Sequence, residues 1–566
     1  MHTPKVSGKI LLLICLSGFA VFSKGLFYPF VFDDYRHLVE NPAYHPPSWT
    51  ALLSFWKGFY FEMYLPMVYS VWFALVKLSD WVAGAMGKPP ELLPVVFHSA
   101  NLGVHLANGW LVFLLLGELS LPVAAASLGA LFFVLHPLQV EAVVWISGMK
   151  DLLSAFFGLL ALREGLRFFR KPNWISYLAT TVLLGLAILA KPSSVILPLV
   201  LGLAWFAFRS HRDYRELWYF IPWGIISAIA TLVTQNSQPV LDPATRIDFI
   251  PSFPQRLLIA TDAMAFYLKH LIWPTGLSLV YDHSPYSVIA AGGPQVWFSG
   301  LTVALAISSL AMISYSAANR RVVWFGFGWF CLGLLPTLGF VPFIFQNIST
   351  VADRYAYFSL VGFSIVMAWG MSARPKLILA PAWVSMVLCA GLSWAQVSVW
   401  RDPMTLYRYA LQCSPNHWFA HQLVGMQLQA DGYNQEAILH FEKTVALRPD
   451  RYQSRFLLAN ALNLEGRKSE AIRYKRQGAE AFAEVLREDA RAWMAKGEGE
   501  KSLHYLELAF SYYPRSAAIQ SDWGEVLLQL GRVREARAHF LSAIALNPDL
   551  FAAAQRLEML NRYPNR

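Results

Sequence analysis

The chain alternates long apolar runs with short polar breaks over its first 400 residues, then changes character. A run needs about 20 residues to cross ~30 Å of hydrocarbon. Such runs lie near 9–32, 64–84, 94–116, 121–137, 142–162, 174–190, 193–208, 217–234, 296–316, 322–345, 354–372 and 377–398, with a weaker one at 257–275. The pattern predicts 11 to 13 membrane helices. The first run follows Lys5 and Lys9 and lacks a small-x-small cleavage site, so it reads as a retained signal anchor.

Beyond residue 400 the organising signal is an internal repeat. Gly432, Ala437 and Pro449 close one unit, Gly466 and Ala471 follow 34 residues later, and Gly497 with Pro514 and Gly531 with Ala536 and Pro548 continue the period. DGYNQEAILHFEKTVALRPD and LGRVREARAHFLSAIALNPD match at small, aromatic and proline positions. This resembles a tetratricopeptide repeat array of about four units, irregular around 480–497. Small residues let paired helices approach, and proline stops the second helix. Such arrays are most often binding scaffolds without chemistry of their own, and Trp418, Phe441, Trp493, Tyr505 and Trp523 then read mostly as core. The fold expected is all-α: a polytopic membrane domain, 1–399, followed by a soluble solenoid, 400–566.

Composition sharpens the division. Charged residues are 14% of the chain against about 25% in an ordinary soluble domain, which excludes a wholly soluble or disordered protein. About a quarter of residues 400–566 are charged, against about a tenth of those before. The net charge of +10 is explained by cytoplasmic loops and points to no nucleic-acid partner. Four cysteines are too few for a disulfide framework. The basic loops at Arg163, Arg167, Arg170 and Lys171, at Arg209, Arg212 and Arg215, at Arg320 and Arg321, and at Arg374 and Lys376 read as cytoplasmic. The N-terminus is then inside, and loop 33–63, Asp353 and the repeats are outside. Counting from the first run to the loop at 163–173 gives the wrong parity if all four intervening runs cross, so one is split or re-entrant.

Ionisable groups at the membrane edge are costly and mark candidate chemistry. In VFDDYRHLVENP, Asp33 and Asp34 follow the first run; adjacent carboxylates repel, raise one pKa and can supply a general base. The pair reads equally as a solvated helix end. In HPLQVEAVVWISGMKDLL, His136, Glu141, Lys150 and Asp151 interrupt an apolar stretch, as catalytic groups or as a short polar loop. In VADRYAYFSLVGF, Asp353, Arg354 and Tyr355 open an apolar run; an arginine fork suits a phosphate, although an interfacial anchor has the same pattern. Lys191 in AKPSSVILP reads as a phosphate contact or a snorkelling lysine. His98, Asn101, His105 and Asn108 share a helical face and read as a polar packing stripe. The chain has no glycine-rich phosphate loop, HExxH, paired CxxC or GxSxG. Acids and cations at one membrane face suit a lipid-phosphate sugar.

These motifs, in this order, resemble the transmembrane-and-tetratricopeptide-repeat (TMTC-like) proteins, a branch of the GT-C glycosyltransferases related to protein O-mannosyltransferases. VFDDYRHLVENP matches the family's acidic first loop, YLPMVYSVWFAL its tyrosine-x-proline-leucine segment with Tyr64 and Pro66, FHSANLGVHLAN its next helix, and HPLQVEAVVWISGMKDLL its histidine-proline and arginine-lysine-aspartate pattern. KPSSVILP, DRYAYFSLVGF and WRDPMTLYRYAL follow. Met149 departs from the pattern, standing where an arginine usually precedes the lysine.

The resemblance implies a GT-C-type membrane glycosyltransferase that moves a sugar, mannose first, from a polyprenyl-phosphate donor to a hydroxyl by inverting transfer. Asp33 or Asp34 would be the base, and Arg354, Lys150, Glu141, Lys191, Asp353 and Tyr355 would bind the donor. The repeats would capture the acceptor, a Ser or Thr of a protein or, as a close variant, a glycan. No cofactor is expected and nothing requires a metal. The short loops lean towards a bacterial inner membrane with periplasmic repeats; in a eukaryote the repeats would be luminal. The competing expectation is a non-catalytic membrane scaffold or transporter that assembles protein partners through its repeats.

Overall fold

The computed structural model describes residues 8–61, 63–209, 213–237, 249–315, 320–373 and 375–562. Lys5, Arg212 and Arg374, which carry part of the orientation argument, lie outside the described residues, as does the side chain of Lys376. The described residues form helices, turns and isolated bridges and no strand, so the fold is all-α. They divide into two compact units, one of Met1–Pro239 with Ile247–Pro415 and one built on Asn416–Arg566. The helix Pro403–Cys413 belongs to the first.

Among the described residues of the first unit, five helices are long and apolar enough to cross a membrane: Gly8–Phe27, Pro94–Glu118, Tyr214–Gln235, Gly293–Ser314 and Leu379–Trp400. A sixth candidate is the pair Val123–Leu135 and Pro137–Val144, bent by 52°. Three shorter apolar helices, Trp174–Ala190, Pro192–Phe208 and Ser359–Ala373, accompany them. The chain is an integral membrane protein with fewer long spans than the 11 to 13 apolar runs suggest. Hydropathy does not register where a run breaks. The run at 142–162 is cut by a 3-10 turn at Ile146–Gly148, and the run at 322–345 leaves its helix at Leu334.

The parity problem has a structural answer. Helix Pro66–Ala85 starts beside the first loop, where the Tyr69 hydroxyl meets His37 Nδ1 at 2.9 Å. Ten residues on, Ser79 accepts from the Leu93 N–H at 2.6 Å, immediately before Pro94. The helix from Pro94 in turn places His98 Nε2 3.0 Å from the Tyr28 carbonyl, at the end of the first span. Two points of Pro66–Ala85, Tyr69 and Ser79, are therefore tied to segments that meet one end of that span, and the helix is not among the spans long and apolar enough to cross.

Loop 33–63 is not a free loop. Leu38, Tyr44 and Phe55 are buried in one core with Tyr69, Trp72, Phe97, Ile146 and Met149, and the Phe55 and Tyr69 rings stack at 4.4 Å. Burial of this aromatic surface, at ~25 cal/mol per Å², fixes the segment that carries the two acids.

The second unit is an array of antiparallel helix pairs, Trp418–Ala430 with Asn434–Leu447 and Ala517–Gln529 with Val533–Leu546 being the most regular. Gly432, Gly466, Gly497 and Gly531 each turn between helices with φ between +75° and +86°, a conformation open to glycine at little cost. A methyl at Gly425 or Gly524 would lie 2.7 Å from Phe441 or Phe540, so these glycines let each pair close. The irregular stretch has a simple origin. Ala483 stands where the period calls for proline, and Lys468–Ala495 runs on as one helix of 28 residues.

Candidate functional site

Chain neighbours Asp33 and Asp34 have different surroundings. Asp34 is fully buried; its Oδ2 accepts from the Val31 N–H at 3.1 Å, and its Oδ1 from the Ser147 N–H at 2.9 Å and hydroxyl at 2.6 Å. It fastens the first loop to the turn at Ile146–Gly148. Asp33 is partly exposed, and among the described residues its carboxylate has no hydrogen-bond or ion-pair partner. Burial pushes the Asp33 pKa above the usual carboxylate value, opposed by the charges of Lys150, Arg354 and Arg36. Burial likewise pushes Asp34 up to about 7, against the donors from Ser147 and Val31. Phe32, just before the pair, is held at φ +53°, a strained conformation for a bulky side chain.

The cations come from distant chain segments. Arg354 is buried and doubly tied to Glu141: its Nη1 lies 2.5 Å from Oε1 and its backbone N–H donates to Oε2 at 2.8 Å. The guanidinium also faces the rings of Phe345, Tyr355 and Trp145 at 4.5, 4.9 and 5.4 Å. Lys150, in the first turn of Met149–Arg170, places its ammonium 4.6 Å from the Trp145 ring. Met149 packs into the apolar core, so Lys150 alone brings positive charge from this pair of positions.

Asp353 accepts from the Tyr281 hydroxyl at 2.6 Å, and burial with the Glu141 carboxylate pushes its pKa well up. Lys191 pairs with Asp151, and its ammonium lies 5.3 Å from the Tyr355 ring. Lys191, Asp151 and Tyr355 line, with Arg354, Ser154 and Ser194, a cavity of about 20 Å³, room for one water. Of the eight candidates named from the sequence, Glu141, Lys150, Lys191, Arg354 and Tyr355 are linked through Trp145 and one another, Asp34 is bonded to Ser147 two residues on from Trp145, and Asp33 and Asp353 adjoin these groups in the chain.

The polar stripe on Pro94–Glu118 positions this cluster. Asn101 Nδ2 donates to the Trp145 carbonyl at 2.8 Å, and Asn108 Nδ2 to the Leu152 carbonyl and the Tyr357 hydroxyl, each at 3.0 Å. His105 lies 2.9 Å from that same hydroxyl and 3.1 Å from the Val134 carbonyl. These groups satisfy backbone freed where the helix breaks, as a low-dielectric surrounding requires. Sequence reasoning missed Ser147, Trp145 and Tyr281; a hydroxyl or an indole inside an apolar run carries no signal of its partner. It also missed Asp262, which accepts from His283 Nδ1 at 2.6 Å and from Gln295 and Ser299 at 2.9 Å. Among the described residues no group of three or more His, Cys, Asp or Glu is placed to hold a metal.

Fold and cluster define a class: an all-α integral membrane protein with tetratricopeptide repeats and a buried acid–cation cluster. No family model matches the chain. It is similar to the protein O-mannosyl-transferase TMTC4 of Homo sapiens, 23% identical over 492 residues, covering 73% of this chain and 62% of the relative. It is also similar to human protein O-mannosyl-transferase TMTC3, 22% identical over 76% of this chain and 50% of the relative. With Drosophila melanogaster Tmtc1 it shares 31% identity over 227 residues, 36% of this chain and 25% of the relative. The chain is thus similar to TMTC proteins. It spans from half to under two thirds of the length of the human relatives it matches. Among solved structures, YrrB, described as a TPR protein with an unusual peptide-binding site, is 17% identical over 27% of this chain and 81% of its own, with a TM-score of 0.15.

Proposed function

We propose that this chain is a membrane glycosyltransferase that moves a sugar, mannose first among candidates, from a polyprenyl-phosphate donor to a hydroxyl of an acceptor held by the repeats. The observation that carries the reading is the Asp33 carboxylate, without a hydrogen-bond or ion-pair partner among the described residues, in the field of three cations, Lys150, Arg354 and Arg36. The names of the relatives, protein O-mannosyl-transferases, support the reaction class.

Asp33 takes the proton of the acceptor hydroxyl. The oxygen attacks the anomeric carbon, the bond from that carbon to the phosphate oxygen breaks, and the configuration inverts. The electron pair leaves on the lipid phosphate, where preorganised positive charge from Lys150 and Arg354 stabilises it. Arg354 brings donors beyond those given to Glu141, since a guanidinium carries five. Asp34 holds the loop that presents Asp33. Glu141 and Tyr355 hold the Arg354 guanidinium, and Lys191 and Asp353 stay with the donor-binding set. The lipid tail remains in the bilayer, and the cluster opens on the face away from the cytoplasm, with the repeats on the same side. A bacterial inner membrane with periplasmic repeats is the setting we favour.

The test uses the purified full chain in lipid, with labelled polyprenyl-phosphate mannose and a Ser/Thr-rich peptide. Transfer by the wild type and a fall of about 10²-fold or more in Asp33→Asn are expected from loss of a general base. Equal turnover in Asp33→Asn sinks the assigned role. No transfer from mannose, glucose or galactose donors to peptide or glycan favours the scaffold or transporter, a reading that the gathering of acids and cations in one cluster otherwise weakens.

A further inference from the structure

We propose that Trp145 is a positioning residue: its indole seats Lys150 and Arg354 together so that one phosphate meets both. This rests on the donor reading above and deepens it. The indole is 1% exposed, with the Lys150 ammonium at 4.6 Å and the Arg354 guanidinium at 5.4 Å from its ring. Trp400 at 6.3 Å and Phe32 at 5.9 Å fix the ring from other directions. Its carbonyl is held by Asn101, and it follows the short helix Val140–Val144 that carries Glu141, the carboxylate partner of Arg354. The indole N–H is buried and has no hydrogen-bond partner among the described residues.

The two cations are held by different means, and the difference matters. Arg354 is neutralised by Glu141. Lys150 has no carboxylate at ion-pair distance among the described residues; its ammonium rests over the ring. A carboxylate would compete with an incoming phosphate for that ammonium. The negative face of an indole attracts the cation without neutralising it. Lys150 is thereby placed yet left available to an anion. The same ring, within reach of Arg354, sets the spacing of the two cations.

The probe is a short-chain polyprenyl phosphate without sugar, binding to the purified full chain in lipid nanodiscs, with the uncharged polyprenol as control. Trp145→Leu should weaken phosphate binding by about 5- to 10-fold, whereas Trp145→Phe, which keeps a weaker ring, should recover most of it. Tryptophans bearing one to four ring fluorines, inserted at position 145, keep the shape and progressively deplete the ring face. Across that series the dissociation constant should climb stepwise while the unfolding midpoint stays fixed and polyprenol binding is unchanged. A flat constant across the fluorinated series overturns the proposal even if Trp145→Leu fails to fold. Binding of the phosphate no tighter than of the polyprenol by the wild type overturns the donor reading itself, and this proposal with it. Failure of the two readings is therefore distinguishable.

Discussion

At the residue scale, the two adjacent acids divide a task that the sequence presents as one motif. Asp34 accepts three hydrogen bonds, whereas among the described residues Asp33 accepts none. Burial outweighs the donors to Asp34 and lifts its pKa from 3.8 to about 7. The sign of the consequence follows from linkage. An unfolded chain releases this proton near 3.8, while the folded protein keeps it to about 7. The stability Asp34 confers is therefore fully present below 3.8, falls as pH rises from there to about 7, and changes no further above. Thermal unfolding in detergent between pH 4 and 8.5, wild type minus Asp34→Asn, should show that decline; a difference that grows with pH contradicts the assignment. The pair itself was visible in the sequence. Which member is free was not, because that depends on Ser147, 113 residues away and indistinguishable from any other serine in an apolar run.

At the scale of elements, the decisive feature is the interruption between residues 135 and 149. A continuous helix there would bury Glu141 and Lys150 on opposite faces of a rod. Two breaks, at His136 and at Trp145–Gly148, let the short helix Val140–Val144 face Arg354 while Ser147 turns to Asp34. Gly148 makes the second break possible: an added Cβ would lie 2.1 Å from the Ala142 carbonyl oxygen, which is backbone and cannot move aside cheaply. Gly148→Ala should therefore lower the unfolding midpoint and cut donor transfer by about tenfold or more, since a displacement of ~1 Å at a reacting group can cost 10²-fold. Gly185→Ala, inside helix Trp174–Ala190 where no atom lies within 4 Å of the added methyl, should hold or raise the midpoint and leave transfer unchanged. Equal behaviour of the two variants would remove the break from the mechanism. Charge counting showed that one run fails to cross, yet not which one. Pro66–Ala85 looked as apolar as its neighbours, and the bonds of Tyr69 and Ser79, which tie it to the first loop and to Leu93, are what single it out. In the repeats the reverse holds: the glycine spacing displayed the turns directly, because a left-handed turn leaves a residue-type signature and a tertiary hydrogen bond does not.

At the scale of the molecule, the mechanism requires Asp33 and the repeats to share one side of the membrane. Helix Met149–Arg170 gives a ruler for this. Lys150 and Arg167 are separated by 17 residues, which at 1.5 Å each is about 25 Å, close to the hydrocarbon thickness. At its far end Arg163 pairs with Glu118 at 2.6 Å, and the Arg170 guanidinium donates to the Glu118 carbonyl at 2.6 Å. If the basic end is cytoplasmic, Lys150 and the cluster around it lie at the opposite surface. With Pro66–Ala85 not crossing, the order of spans from Gly8 to Arg170 satisfies that orientation without a parity error. Single cysteines should report it in a background where Cys15, Cys331, Cys389 and Cys413 are serine. Trp49→Cys, in the first loop at a site 73% exposed, and Ile472→Cys, in the repeats at 68%, should both react with a membrane-impermeant maleimide added outside intact cells. Arg167→Cys should react only after permeabilisation. Labelling of Trp49→Cys and Ile472→Cys from opposite sides would leave an acceptor held by the repeats a full bilayer away from Asp33, and a single-site transfer between them would be geometrically impossible.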